Sequence, residues 1–119
     1  MGVFSIRARI WNPHNPSRSR ELELLVDTGS TYMVIPESVL AVLGVKPIRR
    51  VRVRLADNRV LERALGEVGV EIEGYRATAT PVVFGDENVF LLGSVSMEQL
   101  GLAPDPIEKR LKPTEALLM

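Results

Sequence analysis

The chain has 119 residues, 45% hydrophobic and 25% charged, which fits one globular domain spanning 1–119 with a modest core. Fifteen basic and fifteen acidic side chains cancel, so no global field draws the chain to nucleic acid or an anionic membrane. Cysteine is absent, which excludes disulfide staples and thiolate metal sites.

At the start, "MGVFSIRARIW" lacks the apolar core of a secretory signal, and no segment reaches the roughly 18 apolar residues of a membrane span. Gly2 is a weak myristoylation cue, with Ile6 where that motif wants Ser or Thr. These features predict a cytoplasmic chain with no membrane partner. Val3 to Trp11 alternates, Phe4, Ile6, Ala8 and Ile10 against Ser5, Arg7 and Arg9, which predicts a half-buried strand. Asn12–Arg20, with two prolines and polar turn formers, reads as an exposed loop. Glu21 to Val26 is a second strand, and its closing Leu-Leu-Val reads as buried on both faces.

Pro36 at a first helical position and Gly44 as terminator bound a short helix. Arg50, Arg52 and Arg54 alternate with Val51, Val53 and Leu55, giving an amphipathic strand whose basic stripe reads as a solvated face. Ala56-Asp57-Asn58 is a hairpin tip and Arg59 to Leu65 the return. Val68–Ile72 reads as a further strand, Glu73-Gly74 as a turn, and Tyr75 to Phe84 as the next strand. A "GDEN" loop precedes the apolar "VFLLG". Ser94 to Leu100 is a helix with Ser96 and Gln99 at capping-box spacing and Gly101 as its end. The tail from Pro104 is too proline-spaced to assign. His14 reads as solvent-exposed, Trp11 as core or interface, and Met33 and Met97 as core filler.

There is an internal echo. "VDTGS" leads through a helix to "LGVKP", and "LLGS" leads through a helix to "LGLAP". On that alignment Leu91 stands where the first half has Asp27, so one copy alone keeps an acid.

Asp27 itself ends an apolar run and precedes Thr28-Gly29-Ser30. A phosphoryl-transfer aspartate would want a second acid two residues on, where Gly29 stands. A sugar-kinase-like phosphate loop needs two nucleotide-clasping domains, which 119 residues do not build. A plain strand-end turn capped by Asp27 is the structural alternative. The remaining chemistry uses two carboxylates sharing a proton, one as base toward water and one as acid toward a carbonyl. Asp57, Asp86 and Asp105 fall at a tip, in a loop and between prolines, so a two-fold axis through Asp27 is the way to supply the second carboxylate.

"LLVDTGSTYMVIP", a hairpin, and then "VGVEIEGYRATATPVVFGDENVFLLGSVSMEQLGL" together resemble the retropepsin-like aspartic proteases, over roughly Val3 to Leu102. That resemblance implies an all-β, closed-barrel lobe with one or two short helices, active as a symmetric homodimer on an extended peptide or protein substrate, with no metal or cofactor. It implies that Asp27 is the catalytic acid, that Thr28 hydrogen-bonds across the dimer, and that Gly29 permits close backbone approach. Ser30 would donate to the carboxylate, and Ser30, Thr31 and Tyr32 would border substrate. The Arg50–Arg63 hairpin takes the place of the flap, with Leu55, Ala56, Asp57 and Asn58 at its tip. Leu91-Leu92-Gly93 matches the apolar crossing that cradles the aspartate loop. Ser94-Val95 replace the Arg-Asn of retroviral enzymes, the tip has no glycine, and the tail after Leu102 is longer. A catalytically silent dimeric peptide-binding module is the alternative function.

Overall fold

The computed structural model describes residues 3–119; Met1 and Gly2, and with them the acylation cue, lie outside the described residues. The first strand, β1 (Ser5–Asn12), turns at once into β2 (Asn15–Val26) through Pro13-His14 alone. The loop expected over Asn12–Arg20 is therefore mostly strand. Asn15 to Arg20 are exposed on both sides, so they carry no hydrophobic alternation. Pairing with β1 extends the strand instead, with Trp11 opposite Ser19 and Ile10 opposite Arg20. Asn12 secures the corner: its amide donates to the Leu43 carbonyl at 3.0 Å, and its carbonyl accepts from the His14 N–H at 2.8 Å.

After β3 (Met33–Pro36) comes α1 (Glu37–Val42), with Pro36 as its N-cap residue and Gly44 leaving it at φ +76°. The hairpin β4 (Arg49–Arg54) and β5 (Val60–Ile72) follows. The return strand and the Val68–Ile72 strand are one continuous β5, with a bulge between Val68 and Val70. Gly66 and Gly69 do not break it. They make room for packing, Gly66 against the Phe84 ring and Gly69 against the Trp11 ring. Trp11 is buried, with the guanidinium groups of Arg9 and Arg76 each 4.6 Å from its ring centre.

The chain continues through β6 (Tyr75–Gly85), β7 (Leu91–Leu92), α2 (Ser94–Leu100), β8 (Leu102–Asp105) and β9 (Arg110–Pro113). The unassigned tail is thus a small hairpin, with Leu102 and Leu111 turned into the core. No helix among the described residues is long and apolar enough to cross a membrane.

Seven strands form one sheet in the order β1-β2-β7-β3-β6-β5-β4. It curls until β1 meets β5 over three residues, Arg9 to Trp11, a short seam rather than a uniformly sealed barrel. Ile10, Leu24, Met33, Ile35, Val70 and Leu92 are fully buried inside the curl. Leu24 and Val26 point inward but Leu25 is 36% exposed, so the Leu-Leu-Val run is not buried on both faces. It keeps strand alternation up to the site. The capping-box reading also fails. Ser96 lies inside α2 and is buried, its hydroxyl 2.7 Å from that of Thr80, while Gly93 is the N-cap.

The echo is real but its register is different. The offset that lays Leu43-Gly44 on Leu100-Gly101 lays α1 on α2 and Val34 on Leu91. Those two residues are the register pair joining β3 to β7. The counterpart of Leu91-Leu92-Gly93 is therefore Val34-Ile35-Pro36, and the counterpart of the Asp27 turn is the loop after β6.

Candidate active site

The sheet order makes the site. β7 lies between β2 and β3, so the chain leaving β2 must cross over the end of β7 to enter β3. That crossing is Asp27 to Tyr32. The short strand beneath it holds it at several points. The Asp27 N–H donates to the Leu92 carbonyl at 3.0 Å. The N–H groups of Ser94 and Val95, at the start of α2, donate to the carbonyls of Ser30 and Thr31 at 2.8 and 3.0 Å. Gly93 sits directly under the crossing. A β-carbon there would lie 2.5 Å from the Tyr32 carbonyl oxygen and 2.7 Å from that of Ser30. Only glycine fits.

Within the turn, the Ser30 N–H closes onto the Asp27 carbonyl at 3.1 Å, and the Gly29 N–H donates to Asp27 Oδ1 at 2.9 Å. The half-buried carboxylate is thereby aimed by its own loop. A β-carbon on Gly29 would stand 3.2 Å from that oxygen. Among the described residues no cation forms an ion pair with Asp27, whereas Asp57, Asp86 and Asp105 pair with Arg59, Arg63 and Lys112. Thr28 and Thr31 are exposed and Tyr32 is half-buried. The expected Ser30 contact differs: its hydroxyl donates to the Tyr32 carbonyl at 2.8 Å and braces the turn rather than the carboxylate.

The other expected group, Leu55 to Asn58, forms the tip of the β4–β5 hairpin. The Leu55 N–H donates to the Arg59 carbonyl at 2.8 Å, and the Asn58 N–H to the Leu55 carbonyl at 2.9 Å. Asn58 takes the left-handed conformation, φ +71°, that a three-residue hairpin loop requires. Asp57 ties the tip to Arg59 through both the backbone N–H, at 3.1 Å, and the guanidinium, at 2.7 Å. Ala56 is exposed at the crest. Among the described residues, these hydrogen bonds of Asp27, Gly29 and Ser30 stay within the turn and the β7–α2 segment beneath it, and those of Leu55, Asp57 and Asn58 stay within the hairpin.

A groove of about 490 Å³ runs beside β2, the strand that leads into Asp27, lined by Leu22, Leu25, Val89, Phe90 and Leu91 among others. Sequence reading missed Leu25 and Leu91 as lining residues. The signal was the strict alternation through Leu24-Leu25-Val26, which turns the middle leucine outward. A second groove of about 500 Å³, between α1 and the β4–β5 hairpin, contains no residue of the aspartate turn.

The class this architecture defines is an aspartate-turn β lobe. The model of the aspartyl protease family matches residues 17–106, and the chain belongs to that family. The solution structure of simian foamy virus (mac) protease superposes with a TM-score of 0.57 at 17% identity, over 81% of this chain and 93% of that one. The fold is therefore of the retropepsin kind. No curated protein sequence gives a significant match.

Proposed function

We propose that the chain is an aspartic endopeptidase that assembles as a homodimer, with Asp27 of each subunit on the two-fold axis. The observation that carries this reading is an aspartate aimed by its own turn, braced by Leu92, Gly93 and the start of α2, and left without a cationic partner among the described residues. Two such carboxylates brought together cannot both ionise freely, so one holds a proton while the other is charged. The charged one takes a proton from water, the water attacks the peptide carbonyl, and the protonated one donates to the carbonyl oxygen. The carboxyl that gained the proton then gives it to the amide nitrogen as the gem-diol collapses, the C–N bond breaks and the amine leaves. The other carboxylate recovers a proton from the gem-diol hydroxyl. An acidic pH optimum follows from that shared proton.

In this reading Thr28 hydrogen-bonds across the axis, and Ser30, Thr31 and Tyr32 border the substrate. The β4–β5 hairpin acts as a flap whose tip, Leu55 to Asn58, closes over an extended peptide. The apolar groove past Leu25 and Leu91 takes a substrate side chain next to the reacting bond.

Subunit mixing tests the shared site. Wild-type and Asp27→Asn chains are allowed to exchange, and activity is read against composition at fixed total protein. Activity falling as the square of the wild-type fraction is the expected outcome. A linear fall, with exchange independently confirmed, means each chain carries a complete site.

A further inference from the structure

The β4–β5 hairpin carries a feature that hydrolysis leaves unused. β4 is the edge strand of the sheet, and among the described residues no strand pairs with its other side. The Leu55 N–H points to β5, and the register is unbroken from Arg49↔Leu65 to Arg54↔Val60. By the two-residue period of a strand, Val51 and Val53 also bond inward, while the N–H and carbonyl groups of Arg50, Arg52 and Arg54 face the open edge. The side chains of these three arginines project together from one face of the strand. Val51 and Val53 are half-buried on the other.

Acids do not balance this row. Glu62, the one acid opposite on the same face, pairs with Arg50 at 3.2 Å, and both side chains are more than 60% exposed. Among the described residues Arg52 and Arg54 have no ion pair, and Arg54 only donates to the Asn58 carbonyl at 3.3 Å. A charged edge protects a sheet against pairing with itself. Here the protection is of one sign, on a chain of zero net charge, which selects a partner of opposite sign.

We propose that the free edge of β4 accepts an extended acidic peptide segment, with acids at alternate positions, as an added strand. Main-chain bonds from the Arg50, Arg52 and Arg54 positions hold the segment, and its alternate carboxylates lie opposite the three guanidinium groups. At its base the strand runs into a groove of mixed charge, where Lys46, Arg50 and Arg63 stand among acids and Arg50 and Arg63 are already paired, so the unbalanced part of the row is Arg52 and Arg54. A protein segment fits better than nucleic acid. The same groove carries Glu37 and Glu62, its one aromatic residue, Phe84, is buried, and no exposed aromatic offers a base-stacking platform along the row.

Binding is measured without turnover, by fluorescence anisotropy on the full chain and on its Asp27→Asn variant, so failure here is separate from failure of the hydrolytic reading. The probe is a labelled peptide alternating Glu and Thr. Four comparators accompany it: a block isomer of the same composition, two alternating peptides N-methylated on one edge or on the other, and an oligouridylate. The alternating peptide is expected to bind both proteins alike, with affinity falling as salt rises. Arg52→Glu/Arg54→Glu should weaken it by about tenfold or more, from two lost cross-strand pairs and two new repulsions. The block isomer and one of the two edge-methylated peptides should bind at least several-fold more weakly. Equal binding of the block isomer, indifference to methylation on either edge, tighter binding of the oligouridylate, or no binding at all would each overturn the proposal.

Discussion

Two crossing loops of this molecule are built alike and end differently. Asp27–Tyr32 passes over the end of β7 to join β2 to β3, and Asp86–Phe90 passes over the end of β3 to join β6 to β7. Both contain an aspartate. The first loop receives N–H donors from Ser94 and Val95 below it, and its acid forms no ion pair among the described residues. The second is pinned at its exit by the Leu25 N–H to the Phe90 carbonyl, 2.9 Å, and at its turn by the Val89 N–H to the Asp86 carbonyl, 3.3 Å. Its acid sits at the surface, 3.4 Å from Arg63. The lesson is that the duplicated scaffold does not itself make a reactive carboxylate. The two loops differ in bracing from below and, among the described residues, in having a counter-ion, and it is on these differences that the proposed role of Asp27 rests.

The sharpest way to break the comparison is to remove each acid in turn. Asp27→Asn keeps the side chain's size and can still accept from the Gly29 N–H, so the fold should hold while turnover drops by roughly 10²–10⁴-fold. Asp86→Asn removes only an exposed ion pair and should leave both near wild type. Peptide hydrolysis and thermal unfolding of the two variants decide it. Equal effects on turnover would mean the loops do not differ as described.

Gly93→Ala attacks the bracing instead of the acid. The new methyl group meets backbone atoms of Tyr32 and Ser30, which move only if the crossing lifts off β7. Overpacking of this kind costs about 1–3 kcal/mol, and more where the obstacle is backbone. Chemical denaturation should show a loss of about 3 kcal/mol, with activity lost along with the fold. Ser30→Ala is milder. It deletes the hydroxyl bond to the Tyr32 carbonyl, worth about 1 kcal/mol, and leaves the carboxylate's own contact with Gly29 in place. The pH optimum should not move. A shift in the optimum would show that the hydroxyl reaches Asp27 in the working enzyme.

Much of this was legible in the chain itself, where local chemistry sets structure. Asp27-Thr28-Gly29-Ser30 reads as a turn from its residues, Asn58 as a tip, and Gly44 and Gly101 as helix ends at φ +76° and +70°. What escaped is set by partners far along the chain. Asn15–Arg20 is a strand because β1 lies beside it. Gly66 and Gly69 stay in β5 because Phe84 and Trp11 need the space. Ser96 looks like a cap until Thr80 is found against it. The echo was visible, but its register depended on which strand β7 pairs with. The alignment by Gly-Ser therefore matched Asp27 to Leu91, when the fold matches Val34 to Leu91.

The second half of the chain has one addition that the first half lacks, the β8–β9 hairpin, and it gives the smallest expected effect. Asp105 anchors it, pairing with Lys112 at 2.9 Å and accepting the N–H groups of Ile107 and Glu108 at 2.9 and 3.1 Å. The Lys112 ammonium, and then the Glu108 N–H, hold the Asp105 carboxyl below its ordinary value of 3.8. Glu108, and then Asp105, hold Lys112 above its ordinary 10.5. The signs follow from linkage. Asp105 contributes stability that is fully present above the unfolded value and is lost as pH falls through the lowered folded value. Lys112 contributes stability that is present below 10.5 and lost as pH rises through its raised value, so it does not change on the acidic side. The hairpin therefore stays anchored in the mildly acidic range where two shared carboxylates would work. The thermal midpoint of Asp105→Asn should lie below that of wild type by a constant small margin from neutral pH to about pH 5, and the margin should close only below the unfolded Asp value. A margin unchanged down to pH 2 would show that some group other than this carboxylate holds the hairpin.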